Sequence, residues 1–319
     1  MSVAGAGVRS GGMGPATTAP AVLALDVGGT KLAAAVVGGD GSMLATDRRP
    51  TVASDGDALF DVVTDLLGSV RERAVQDGLD PRSIAALGVG CGGPMTTRSG
   101  SVGITVSPLN IPQWRAFPLE DRLADWSGAP TFVDNDAKAL ALGEGWIGAA
   151  VGNRNYLAIV VSTGVGGGIV LDGRLLDGEA ANAGHIGHMI VDPLGRSCPC
   201  GARGCLEAHI SGTAIASATG RPAAQATVEE RMVAGRLLGR AVASACNLLD
   251  LRLAVVAGSV ALGFGAVFFD AANDELARCA RLEFARGARV VPAGRGADGP
   301  IVGAAAVGLR GLGLPQVPA

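Results

Sequence analysis

Three cysteines and a histidine fall in a spacing that suits a metal ion: His188, Cys198, Cys200 and Cys205 form H-x9-C-x-C-x4-C. Three thiolates and one imidazole make a closed, four-coordinate zinc set with no position left for water or substrate. The expected role is therefore structural, not Lewis-acid catalysis. Gly201 and Gly204 let the chain turn tightly between the last two thiolates. His185, three residues before His188, is a neighbour outside the ligand set, and His209 reads as structural or exposed. The other cysteines, Cys91, Cys246 and Cys279, are scattered in apolar stretches. That pattern is no disulfide framework and points to a reducing, cytoplasmic setting.

Two glycine-rich turns suggest phosphate chemistry. In Asp26-Val-Gly28-Gly29-Thr30-Lys31, the glycines let backbone N–H groups approach phosphate oxygens. Thr30 and Lys31 add a hydroxyl and a charge, and Asp26 could hold Mg²⁺ through water. An ordinary hairpin turn explains this segment equally well on its own. It is neither a Walker loop nor a dinucleotide fingerprint, because the spacing is wrong and a strand follows where a helix is needed. A second turn, Thr163-Gly164-Val-Gly-Gly-Gly168, shifts the balance toward a nucleotide clamped between two hairpins. Gly258-Ser259, after a buried strand, is a third candidate, for the adenosine end.

Asp134-Asn135-Asp136 closes a strand and opens a helix. Such a run is a common N-cap. It also offers a carboxylate that could take the proton of a sugar hydroxyl as that oxygen attacks a γ-phosphoryl group. Phosphoryl transfer needs mainly positioning and charge stabilisation, so one acid, a metal and donor loops suffice. Asn135 can both donate to and accept from sugar hydroxyls. Lys138, one of only two lysines with Lys31, reads as solvated.

These residues need elements to hold them. Apolar runs predict strands over Val22–Asp26, Lys31–Val37, Ser42–Asp47, Ile84–Val89, Thr131–Val133, Tyr156–Val161, Ile169–Leu171, Leu253–Ala257 and Arg289–Val291. Helical spacing marks Asp57–Asp77, Leu119–Trp126, Ala137–Gly148, Val228–Leu249 and the small-residue stretch Gly299–Leu312. Ser162–Gly168 reads as a turn. The strand–glycine turn–strand pattern at Leu23–Thr30 returns at Leu157–Gly164. Such a duplication predicts two related α/β domains facing one another. The expected division is a disordered tail over 1–20, an N-terminal domain over 21–133 plus about 300–319, and a C-terminal domain over 134–299 with its knuckle at 184–207.

The chain has 319 residues and a formal net charge of −3, which gives no general attraction to nucleic acid or to an anionic membrane. The Gly/Ala-rich first 20 residues lack the apolar core of a signal peptide. The apolar tract Leu253–Phe269 is broken by glycines and reads as buried strands and turns.

Taken together these motifs resemble the ROK family of sugar kinases, from Ala21 to the C-terminal helix. The most specific stretch is Gly184-His-Ile-Gly-His188 with Cys-Pro-Cys-Gly-Ala-Arg-Gly-Cys-Leu-Glu207. The resemblance implies a two-domain actin/hexokinase-like (ribonuclease H-like) α/β fold with an interdomain cleft, binding ATP with Mg²⁺ and carrying structural Zn²⁺. It implies Asp136 as the base, with Asn135, Glu207 and His188 at the sugar. Asn110 in Pro-Leu-Asn-Ile-Pro-Gln-Trp corresponds to a sugar-contacting asparagine, and Gly93 lies in a substrate-side Gly-Pro loop. Homodimers or homotetramers are usual among such relatives. Ala257 replaces the usual glycine of the adenosine loop, and Gly93-Pro94-Met95 replaces a Pro-Gly pair. The main departure is His185, which stands where the family has the glutamate of E-x-G-H. A carboxylate accepts from two neighbouring hydroxyls, whereas a neutral imidazole offers one donor and one acceptor. Recognition around C1 and C2 should change accordingly.

The expected activity is phosphorylation of a hexose 6-hydroxyl, glucokinase-like. The rival within that class is an amino-sugar kinase acting on N-acetylmannosamine, N-acetylglucosamine or 3-amino-3-deoxyglucose (kanosamine). A sugar-responsive regulator is a third reading, disfavoured because about 20 flexible residues before the first strand are too few for a helix-turn-helix domain.

Overall fold

Two near-continuous apolar runs become strands buried along most of their length, β1 (Ala21–Val27) and β2 (Lys31–Val37), which pair antiparallel. The computed structural model describes residues 20–97 and 103–314, so the expected tail lies, but for Pro20, outside the described residues. β3 (Met43–Pro50) alternates in burial as an edge strand and runs three residues beyond the predicted end. Helix α1 (Gly56–Gln76) is opened by Asp55, whose side chain accepts from the Ala58 N–H, and buries Leu59, Val63, Leu66, Leu67 and Val70 along one stripe. β4 (Ile84–Cys91) lies parallel to β1. A small hairpin of β5 (Met95–Thr97) and β6 (Ile104–Val106) follows, too short for its pattern to register in sequence. Helix α2 (Leu119–Ser127) leads to β7 (Thr131–Asn135), parallel to β4, and β7 runs directly into α3 (Asp136–Ile147). The first sheet is thus ordered β3-β2-β1-β4-β7.

The same plan then repeats. β8 (Tyr156–Val161), β9 (Val165–Leu171) and β10 (Arg174–Leu175) form an antiparallel meander. After α4 (Glu207–Ile210), α5 (Gly212–Thr219) and α6 (Val228–Leu249), β11 (Leu253–Ala257) adds parallel to β8, and β12 (Arg289–Pro292) adds parallel to β11. The order β10-β9-β8-β11-β12 matches the first sheet strand for strand in both sequence and direction. The duplication read from the two glycine turns is therefore a property of the whole sheet. α6 is fixed by a Thr227/Glu230 capping box and by Asp250 in the left-handed conformation at its end.

Two readings are corrected. The tract expected as strands and turns forms helices α7 (Ser259–Phe264) and α8 (Ala266–Cys279) after β11. Its glycines act at helix ends: Gly258 and Gly265 have φ of 100° and 65°. The second glycine turn is also shorter than expected, because β9 begins at Val165. Gly166 and Gly168 lie within the strand, where a Cβ would sit 2.9 Å from Ala137 Cβ and 2.8 Å from Ala141 Cβ respectively. These glycines let α3 press onto β9. The last helix, α9 (Gly299–Gly311), uses its small residues similarly: Gly303 lies against the Ala139 carbonyl, and Gly308 against Gly88 of β4.

Candidate active site

The register of the first sheet lines up one row across its parallel strands: Asp26 on β1, Gly90 on β4 and Asp134 on β7. Loops just beyond the carboxyl ends of parallel strands are where α/β sheets bind ligands. Here they hold the first glycine turn, Gly93 and Asn135-Asp136. The turn closes through Gly28 N–H to Lys31 O at 3.1 Å, and Thr51 Oγ1 donates to Gly28 O at 2.7 Å. Thr30 and Lys31 are exposed at its tip. Gly29 is required by a neighbour, because any Cβ there would collide with Asn110. Asn110 is thereby packed on the first glycine turn, on a loop whose carbonyls at Pro108, Ile111 and Trp114 are gathered by Arg115 Nη1. A Cβ on Gly93 would face Asn135 Nδ2 at 3.5 Å.

Asn135 caps α3: its Oδ1 accepts from Ala137 N–H at 3.0 Å, and Asp136 Oδ1 accepts from the same N–H at 2.8 Å. The capping and chemical readings of this run are therefore compatible. Asp136 is exposed to the cleft by surface area, yet protein crowds the cleft floor around it. Its pKa is raised by desolvation, opposed by the Ala137 and Asp136 backbone N–H groups and by His185. Asp26 is raised to about 7, first by burial and then by the charge of Asp136, with Lys31 opposing. The cleft floor thus holds two carboxylates that resist simultaneous ionisation, a fit for a bound cation.

The Asp26 value carries a prediction for the ligand-free protein. A carboxyl raised in the folded state adds stability at low pH that is lost as pH climbs from about 3.8 to about 7. Asp26→Asn removes that loss. Its thermal melting should match the parent near pH 3 and exceed it at pH 8, by up to about 4 kcal/mol. An equal gap at both pH values would refute the buried-acid reading.

The second turn is held by the elements that follow it. Thr163 O accepts from Thr213 Oγ1 at 2.9 Å, Ser162 O accepts from Gly212 N–H at 2.8 Å, and Ser162 and Ser259 share a hydroxyl hydrogen bond of 3.0 Å. Glu207 Oε2 accepts from Val165 N–H at 2.8 Å, and Gly164 leaves room for that carboxylate. Gly258, packed on the Val161 backbone, brings Ser259 to this edge. Beside the turn opens a cavity of about 670 Å³ lined by Thr163, Thr213, Ala216, Arg221, Ser259 and Phe264 among others. Its mix of apolar walls and hydroxyls suits a nucleoside. Thr213, Ala216, Arg221 and Phe264 were not found by sequence reasoning. The one available signal was Ser211, whose side chain caps α5 by accepting from Ala214 N–H.

His188, Cys198, Cys200 and Cys205 converge, with all four ligand atoms within 4.8 Å of one another. Cys200 and Cys205 sulfurs are 3.7 Å apart, as are Cys198 Sγ and His188 Nδ1. A tetrahedral ion about 2.3 Å from each sulfur sets sulfur–sulfur separations of about 3.8 Å, so the donor set fits zinc. His209 has the structural role expected, its Nε2 accepting from Arg196 N–H at 3.3 Å. His185 lies exposed with its ring 6.1 Å from that of His188.

Lys138 is not solvated. It is 2% exposed, and its Nζ donates to Asp177 Oδ1 at 2.8 Å and pairs with Asp134 Oδ1 at 3.0 Å. Asp134 is pushed up by burial, against Lys138 and Arg310. Burial acts on Asp177 in the same sense, but hydrogen bonds from Arg310 and Lys138 outweigh it and leave that carboxyl low.

Against known proteins, the model of the ROK family matches residues 22–310. The chain is 38% identical over 194 residues to a glucokinase of Thermotoga maritima, spanning 61% of this chain and 58% of that protein. It is 35% identical over 258 residues to an N-acetylmannosamine kinase of Yersinia pseudotuberculosis, spanning 76% of this chain and 84% of that protein. Its structure resembles that of a ROK family glucokinase from Streptomyces griseus in complex with glucose and AMPPNP. That likeness has a TM-score of 0.74 and 29% identity, over 91% of this chain and 99% of that one.

Proposed function

The chain belongs to the ROK family, and from that premise we propose that it is an ATP-dependent sugar kinase acting on the 6-hydroxyl of a hexose, with Asp136 as general base. The observation that carries this reading is the placement of Asp136. It opens α3 at the cleft floor, with the Asp26–Lys31 turn on one side and β9 packed on the first turn of its helix.

In this reading the N–H of Ala137 holds Asp136 Oδ1, leaving Oδ2 to accept the hydroxyl proton. A base works best with its pKa drawn toward the working pH, the direction in which desolvation moves Asp136. Asn135 and Asn110 orient the sugar beside it, against Gly93 and Gly29. Glu207 keeps one oxygen on Val165 N–H and offers the other to a sugar hydroxyl. Thr163, Gly164 and the Gly258-Ser259 turn hold the nucleotide, whose adenosine fills the 670 Å³ cavity. Mg²⁺ bound with ATP would neutralise phosphate charge, with Asp26 as its water-mediated anchor. Zinc on His188, Cys198, Cys200 and Cys205 would fix the segment that carries His185 and Glu207.

The supporting relatives divide between glucose and N-acetylmannosamine, and His185 gives the amino-sugar reading a specific footing. Its imidazole replaces two acceptor oxygens with one donor and one acceptor. A panel of hexoses, amino sugars and their 6-deoxy forms, followed by ADP release, tests the assignment. Turnover on at least one sugar is expected, with none on its 6-deoxy form; no turnover on any would reject it. His185→Glu should move the kcat/KM ratio at least about 10-fold toward glucose, the scale of one or two hydrogen bonds. An unchanged profile would remove His185 from sugar recognition.

A further inference from the structure

Four charged groups close a ring behind the catalytic junction. Lys138 bridges Asp134 and Asp177, and Arg310 bridges the same two carboxylates through Asp134 Oδ2 at 3.2 Å and Asp177 Oδ2 at 2.6 Å. Each belongs to a different part of the fold. Asp134 is the penultimate residue of β7 and accepts from Asn135 N–H at 2.8 Å, Lys138 lies in the first turn of α3, and Arg310 lies in the last turn of α9. Asp177 begins the loop that runs to Gly184-His185. Lys138 Nζ also reaches into that loop, 3.4 Å from the Ala181 carbonyl oxygen.

That loop is anchored on β9 at its two ends, by Leu176 N–H on the Ile169 carbonyl at 2.8 Å and by Gly184 against the Gly167 backbone, but has few anchors between them. Leu175 and Ile186 at its ends are buried, but Gly178, Glu179, Ala180 and Asn182 between them are exposed. Its internal bonds are local, Ala183 N–H to Asp177 O and Asn182 Nδ2 to Ala180 O. Ala181 has φ of 59°, a left-handed conformation that alanine keeps only when its surroundings impose it. A buried ammonium is expensive to desolvate, and an apolar side chain would pack there at less penalty. A charged ring at this place therefore suggests a demand for geometry.

We infer that Lys138 is a positioning residue for the sugar side of the site: it holds the 177–184 loop, and with it His185, in register with Asn135 and Asp136. The inference rests on the sugar-kinase reading only for its kinetic consequence. The nucleotide cavity is lined by other segments and lies outside the ring's reach.

The test compares Lys138→Met, Lys138→Arg, Asp177→Asn and the Lys138→Met/Asp177→Asn double variant with Glu275→Gln. The last breaks a second ion cluster built on a buried charge, with Arg240 and Arg278. Lys138→Met and Asp177→Asn should raise sugar KM at least 10-fold and leave ATP KM within about 2-fold. Lys138→Arg should recover much of the loss, and the double variant should be no worse than Lys138→Met. Amide exchange over 177–185 should quicken in the ring variants but not in Glu275→Gln, which should lose thermal stability alone. Sugar KM within 2-fold of the parent in Asp177→Asn, the variant least able to disturb folding, would overturn the inference. If the parent phosphorylates no sugar, the kinase reading fails by itself, and exchange over 177–185 still decides the ring: unchanged exchange overturns it.

Discussion

Asp136→Asn should give a folded protein that binds sugar and nucleotide but transfers phosphoryl about 10³-fold more slowly, within the roughly 10²–10⁴-fold range of a lost general base. That loss corresponds to about 4 kcal/mol of transition-state stabilisation. The isostere keeps an oxygen for the Ala137 N–H, and Asn135 Oδ1 caps the same group, so α3 should still begin at this residue. What disappears is the carboxylate oxygen that would receive a proton. The stability change also has a sign. Desolvation raises the Asp136 pKa, so the stability it contributes is fullest at low pH and fades as pH rises through the folded-state value. Removing the charge should therefore be neutral or stabilising at pH 8, and neutral at low pH. Single-turnover rates, sugar affinity by calorimetry and melting at both pH values separate the two effects. Near-normal turnover would move the base elsewhere, and Asp26 would be the first residue to examine. Turnover lost together with sugar affinity would make Asp136 a binding group.

The two glycine turns and the repeat they announce were legible because hairpin turns depend on neighbouring residues. The repeat extends to the sheet order, which no strand's own pattern announces, since each half lays out its five strands alike. The knuckle was legible for a related reason: one histidine and three cysteines within 18 residues have few other uses. Long-range packing was not legible. Gly166 and Gly168 read as turn residues, but they make room for Ala137 and Ala141 of α3. A glycine that turns and a glycine that yields space look identical in sequence. Lys138 read as solvated although Asp134 stands four residues before it, because its other carboxylate, Asp177, lies 39 residues on, where no local pattern points to it. Similarly, the cavity beside the second turn is built from α5, α7 and the turn after β8, with no local motif to announce it.

Metal removal should have the second large effect. The segment from Ile190 to Cys205 has almost no core of its own. Ile190 is 60% and Leu194 92% exposed, and the local apolar cluster is only Cys198, Cys205 and Ala208. Two isolated bridges, Ile190 with Cys205 and Ser197 with Arg203, tie its backbone together. Without a cation, burial and the sulfurs of Cys198 and Cys200 push the Cys205 thiol up to about 12, so that thiol stays protonated. A bound ion at about 1,000 times its dissociation constant would add about 4 kcal/mol. Whether its loss unfolds the protein depends on what lies next in the chain. Leu206 and Ile210 are fully buried in the core of the second sheet, so α4 should remain docked. The knuckle should loosen locally and free Glu207 from its fixed aim. Glu207 also holds Val165 N–H behind the second phosphate turn, so the disturbance should reach the nucleotide. Chelation, or Cys200→Ser, should therefore raise sugar KM at least about 10-fold and ATP KM less, and should quicken amide exchange over 189–209; zinc should reverse the effects of chelation, with one ion recovered per chain by elemental analysis. A metal-free protein with parental melting, sugar affinity and exchange would refute the structural role. A loss confined to sugar, with ATP KM unmoved, would keep the brace but sever the link through Glu207 to the phosphate turn.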